Sequence, residues 1–482
     1  MGLQNWRSLA VLIVTYACRC CATEDGCEET TSFLQGLLDD SSLSADRNAL
    51  QANSGLTGSA ARIPCGSYQT NKLFLRGGSA ISSCVPADDV STALILKACP
   101  GVSSQQNIIT VEGGTSQRIS GVVFDQTDLT DPSTRSSCAI FGGSGAIDLE
   151  ISDNKFINVN TTSQGFSAIQ LSGVDSARIH HNYVQQSGGD ALNFNGGNYN
   201  VHDNTVENVG DGCIAFNNNA RGIISSNILR RCNLGIGSGP AGNRNDDVLG
   251  DESPFLVTGN FIEDSDYGLN LGWFGYENRI APINVIISNN VIRRSRSCGI
   301  SYFASDTGGE GNLMISGNQI INSGHPKTQP PHTEGEGDGI GICIASVTSA
   351  SITSNMITET KGPSINLSSG HDVNIVNNIL TTEENMDNDG LSINGSNDIV
   401  VSGNTIRNYA GGIRLSDVKY LLARDNKISG GSSDEGAGGI VGKGLSNYAV
   451  ERNTVTSESE ENCYDVEEEE EGNIFEGNIC WQ

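Results

Sequence analysis

Across 482 residues, 28 lysines and arginines stand against 56 aspartates and glutamates, a formal net charge of −28. An acidic chain with no long basic run cannot neutralise a file of nucleic-acid phosphates, so no nucleic-acid partner is expected. The 59 glycines, beside only 17% charged and 6% aromatic residues, favour many tight turns and argue against an all-helical fold.

In chain order, residues 1–22 read as a secretory signal peptide. Arg7 precedes the apolar run Leu9 to Ala17, and Ala22 puts a small residue before the polar Thr23-Glu24-Asp25. That run is well short of the roughly 20 residues of a membrane helix, and no integral membrane segment is expected elsewhere. The expected location is therefore extracellular, which suits 14 cysteines. Losing Cys18, Cys20 and Cys21 with the leader leaves 11, so at least one is unpaired or joins two chains. Cys27, Cys65, Cys84 and Cys99 crowd one end and Cys463 and Cys480 the other, places suited to staples on two terminal caps. Asn160, Asn366 and Asn394 open triplets that accept glycans in a eukaryotic source. Residues 23–60 form the N-terminal cap, where "TTSFLQGLLDD" and "SADRNALQA" have helical spacing behind Thr and Ser caps.

Residues 61–482 are organised by a repeat. A phrase of the type Ile-x-x-Asn-x-Ile returns as "ISDNKFI", "IHHNYVQ", "VHDNTVE", "ISSNILR" and "VTGNFIE", and continues toward the end. Its asparagines are Asn154, Asn182, Asn204, Asn227, Asn260, Asn290, Asn318, Asn355, Asn378, Asn404, Asn426, Asn453 and Asn478, with shortest separations of 22 and 23 residues. A second, Gly-led apolar phrase ("DALNF", "GCIAF", "YGLNL", "GIGIC") gives each unit two short alternating strands. This pattern resembles the right-handed parallel β-helix of the pectin-lyase-like superfamily. The fold class expected is all-β, a single-stranded right-handed parallel β-helix (a solenoid) with a short N-terminal helical cap. Coils stacked about 4.8 Å apart place identical side chains over one another, and an amide that both donates and accepts suits such a file. A leucine-rich repeat is the nearest competitor, but leucine is too scarce and the Gly-led strand has no place in it.

The resemblance implies a saccharide chain lying on one outer face, walled by loops between coils. Insertions at 238–255, 273–284, 303–312 and 325–339 fit that role, the first three leaving one strand on consecutive coils. With Leu192, Ile214, Ile236, Leu269, Ile300 and Ile340 inward, Asn193, Ala215, Gly237, Asn270, Ser301 and Gly341 form a flat outward strip. Asn193, Asn270, Trp273, Tyr276, Arg244, Arg279 and His325 are the substrate-binding candidates, through amides, stacking rings and charge. Asp190 and Asp211 open strands 21 residues apart, about one coil, and are the catalytic candidates, because neighbouring carboxylates divide acid and base duties when their pKa values separate. "GDGCIAF" is similar to the Gly-Asp-Asp-Cys motif of polygalacturonases, with Gly212 in place of the second aspartate, and "CNLGIGS" lacks the histidine of that family's next coil. Asp266, Asp338 and Asp389 occupy similar places, which makes turn capping the competing role.

Arg230 and Arg293 alternate in file with Glu207 and Glu263, as Arg231 and Arg294 do with Asp264, and are read as structural ladders. His180 and His202 share one offset and should stack, with Asp203 adjacent, but zinc takes at least three protein ligands, so no metal is assigned there. No cofactor is expected, apart from calcium as a minor alternative at Asp246, Asp247, Asp251 and Glu252. The functional expectation is a secreted, monomeric protein with a polysaccharide partner, hydrolysing glycosidic bonds through Asp190 and Asp211. The alternatives are polyuronate lyase or epimerase chemistry with Arg244 or Arg279, and non-catalytic carbohydrate binding.

Overall fold

The computed structural model describes residues 30–32, 34–36, 60–62, 66–70, 73–76, 78–82, 94–98, 107–127, 138–143, 145–159, 167–217, 220–238, 255–272, 284–303, 309–325, 337–430, 438–457, 463–466 and 473–481. The signal peptide, Cys27, Cys65, Cys84, Cys99, Asn160 and most of the acidic run 458–472 lie outside them. The chain divides into two compact units, residues 1–216 and 217–482.

Each unit is a parallel β-helix, built because apolar residues recur at the same place in every coil. In the first, Leu73, Ile109, Ile140, Ile169 and Leu192 pair in register on successive coils, all fully buried. In the second, the corresponding file is Ile236, Leu269, Ile300, Ile342, Ile365, Leu391, Ile413 and Ile440. Burying each such side chain contributes roughly 1.5–3 kcal/mol. The register corrects one expectation: Ile300 pairs with Ile342 and Ser301 with Cys343, so Ile342 and Cys343, not Ile340 and Gly341, are the inward and outward residues of that coil. Cys343 is joined to Cys298 on the preceding coil.

The asparagines form the second organising file. In the first unit the backbone N–H and Nδ2 of Asn154 both donate to Asn182 Oδ1 (3.1 and 3.0 Å), and Asn182 repeats this toward Asn204. In the second, the same pair of bonds runs from Asn227 through Asn260, Asn290, Asn318, Asn355, Asn378, Asn404, Asn426 and Asn453 to Asn478. Each interior amide spends its second N–H on a carbonyl of the preceding coil, as Asn290 does on Val257. Buried polar groups are thereby paired at every turn. The residue before each of the thirteen asparagines is left-handed, with φ between 53° and 67°. That corner explains why Asp, Asn, Ser and Gly recur there.

The ends are finished differently. Residues 30–36 contain the described helical turns; Leu34 is fully buried, and the Gln35 amide accepts from Phe74 N (2.8 Å) and donates to Phe74 O (3.2 Å). A side chain thus supplies the two hydrogen bonds that another strand would have made. At the other end Cys463 is bonded to Cys480, the staple expected there.

Candidate functional site

Asp190 begins the strand Asp190–His202, paired with Ser167 of the previous coil. The residue is only 9% exposed. Oδ1 accepts the Gly212 backbone N–H at 2.8 Å, and Oδ2 accepts Asn193 Nδ2 at 2.6 Å. Asn193 Oδ1 accepts in turn from Asn195 Nδ2 at 2.9 Å, and Ser187 Oγ donates to the Asp190 carbonyl at 2.7 Å. Among the described residues no cation pairs with Asp190. Burial first, and the neighbouring Asp211 charge second, push its carboxyl up to about 7, against the lowering effect of its two donors. Asp211 is half-buried, and its N–H lies 3.3 Å from the Gly189 carbonyl. The structure therefore brings Asp190, Asn193 and Asp211 together, with Asp190 over Gly212.

Gly212 has a physical reason to be glycine. A Cβ there would lie 2.8 Å from Asp190 Oδ1, so a second aspartate in the manner of the polygalacturonase motif would displace the carboxylate that caps it. The arrangement can hold the Asp190 carboxyl protonated close to neutral pH beside a second carboxyl. The expected strip is less open than its pattern implied, since Asn193 is 7% exposed and Ser301 fully buried.

Residues 340–481 match the family described as the right handed beta helix region. The chain carries a right-handed β-helix region. Among curated proteins none matches. Among solved structures, the Azotobacter vinelandii mannuronan C-5 epimerase AlgE6 A-module is similar at 12% identity, over 90% of this chain and 93% of that one, with a TM-score of 0.39. The pre-mature gene product 12 of bacteriophage phi29 is similar at 11% identity, over 83% and 64%, with a TM-score of 0.49. PfbA, a surface adhesin of Streptococcus pneumoniae, follows at 13% identity, over 90% and 89%, with a TM-score of 0.35.

In the second unit, which holds the β-helix region, Asn270 lies in register between Gly237 and Ser301, and its Oδ1 accepts from Ser301 Oγ at 2.8 Å. His325 is exposed, four residues after the strand Gln319–Ile321; loss of solvation, then the Lys361 charge, lowers its imidazole from the ordinary value. Arg244, Trp273, Tyr276, Arg279 and the acidic group Asp246, Asp247, Asp251 and Glu252 lie outside the described residues. The segments carrying them depart from one corner: Ser238 pairs with Leu271 and Leu271 with Tyr302, immediately before the three insertions. The chain re-enters at Phe255, Val285 and Leu313, again in register.

The arginine files are ion-pair ladders at Arg230 and Arg294, whereas Arg293 makes no ion pair among the described residues. Arg230 pairs in register with Glu263, and Glu263 with Arg293. Arg294 holds Asp264 through two bonds of 2.8 and 3.1 Å and also reaches Glu263 at 2.6 Å. Asp266 is occupied by Arg296 at 2.6 Å and Ser297 at 2.9 Å. No described helix is long and apolar enough to cross a membrane.

Proposed function

We propose that this chain is a secreted, polysaccharide-active β-helix protein that hydrolyses a glycosidic bond at Asp190 and Asp211. The observation that carries the proposal is the Asp190 carboxyl, buried with no cation on it among the described residues and raised to about 7 beside a second carboxylate. Asp190 is the general acid, delivering a proton to the leaving oxygen, and Asp211 is the ionised partner that activates water or stabilises the positive sugar. Asn193 and the Gly212 N–H fix the orientation of the acid.

Incubation with a panel of neutral and uronic polysaccharides should release new reducing ends. Asp190→Asn should lower the rate by roughly 10²–10⁴-fold, the usual contribution of a general acid. Since the acid must carry its proton, the rate should fall as pH rises through about 7. Full activity in Asp190→Asn or Asp211→Asn would remove this assignment.

The second reading is carbohydrate binding without catalysis, and Asp389 favours it. That residue stands two residues before the inward Leu391, as Asp190 does before Leu192, and is taken up by an ion pair with Arg414 at 2.7 Å, so an aspartate at this corner can be a structural cap alone. Retention of a polysaccharide with no new reducing ends would decide for it. An unsaturated, ultraviolet-absorbing product would instead point to elimination on a polyuronate.

A further inference from the structure

A separate cluster of histidines lies in the first unit, at the corner that precedes the asparagine file. His180 and His202 pair in register, with their rings stacked at 4.9 Å and 6°. In a regular strand His181 would point to the opposite face from His180. Its left-handed φ of 55° turns it back instead, and Nδ1 of His181 lies 2.8 Å from Nδ1 of His180. One coil on, Asp203 has the same φ of 55°, and its Oδ2 lies 2.8 Å from His202 Nδ1. Four donors therefore stand as two stacked pairs, three nitrogens and one oxygen. Behind them Glu150 Oε1 lies 3.5 Å from His180 Nε2, the placing of a carboxylate that fixes the tautomer of a ligating imidazole.

As they stand, no three His, Cys, Asp or Glu side chains among the described residues converge on one point. All four residues are at least partly solvent-accessible, however, and the site requires side-chain rotation to close the two pairs, whose imidazoles stack at 4.9 Å, onto one ion. Two metal–nitrogen bonds of about 2.0 Å at a right angle place their nitrogens about 2.8 Å apart, the adjacent-ligand spacing of a tetragonal ion rather than of tetrahedral zinc. We propose that His180, His181, His202 and Asp203 bind one divalent transition-metal ion of tetragonal preference, joining two successive coils. The ion would take the unprotonated imidazoles, with His180 Nε2–H donated to Glu150.

The test uses the untagged full chain, freed of metal by a chelator and titrated with Cu²⁺ alone. One equivalent should bind, with electron paramagnetic resonance showing at least two imidazole nitrogens on the ion. His181→Asn should weaken binding at least tenfold, and His202→Gln similarly. Asparagine keeps the left-handed corner, as Asn289 and Asn377 do with φ of 55° and 56°, so the metal-free variant should melt with the parent. Failure to bind Cu²⁺ would overturn the proposal, as would unchanged binding in both variants or a spectrum without coordinated nitrogen.

Discussion

Asp190 and Asp389 stand two residues before an inward leucine, Leu192 and Leu391, in different units, and solve the same corner with different chemistry. Both set Oδ1 against a glycine of the next coil, Gly212 and Gly411, where a Cβ would collide. They differ at Oδ2, which meets the neutral amide of Asn193 in one case and the guanidinium of Arg414 in the other. The first carboxyl, buried beside Asp211 with no guanidinium on it, keeps its proton to about 7, and the second is committed to an ion pair. Among the described residues no cation meets the Asp190 carboxyl, and a perturbed acid of that kind is characteristic of functional sites.

The contrast can be broken most forcefully at Arg294, the most enclosed of the paired arginines, whose side chain is 9% exposed against 8% for Asp264. Arg294→Ala takes two charge-assisted hydrogen bonds from that buried carboxylate, and should cost about 3–5 kcal/mol in chemical denaturation. A loss below about 1 kcal/mol would mean that enclosed pairs matter no more than surface ones. Next comes the acid itself. A carboxyl at about 7 when folded, against 3.8 when unfolded, binds its proton more tightly in the native state. Its stabilising contribution is complete below the unfolded value and is lost as pH rises from about 4 to about 7, on the order of 4 kcal/mol at 1.36 kcal/mol per unit. Asp190→Asn should flatten that slope, so the variant gains on the parent above pH 7 in melts taken across the range. Parallel profiles would place the raised acidity elsewhere. Smallest is Arg414→Ala. The Arg414 side chain is 58% exposed and the pair is largely screened, so the loss should stay near or below about 1 kcal/mol, with hydrolysis unaffected.

Much of the fold was legible because an asparagine that bonds to its own counterpart must recur in phase, and Asn182 and Asn204 show that phase directly. The arginine ladder was legible for the same reason. The register at Ile342 was not, since "GIGIC" offers Ile340 and Ile342 to the same face, and a slip of two residues preserves the alternation. At the candidate site, the spacing of Asp190 and Asp211 was visible, but their inequality was not. It depends on the burial of Asp190 beside Asp211, which outweighs the opposing Gly212 N–H, and a one-dimensional pattern records none of these. His181 escaped because alternation assigns it to the wrong face. The recurrence of Asp, Asn, Ser and Gly before the ladder asparagines was the available signal that the chain turns there.

The contact between Gln35 and Phe74 bears on self-assembly. An uncovered strand invites a neighbouring molecule to extend the sheet, the first step toward polymer. By engaging both the N–H and the carbonyl of Phe74, a neutral glutamine denies that template to a newcomer without introducing a charge beside the buried Leu34.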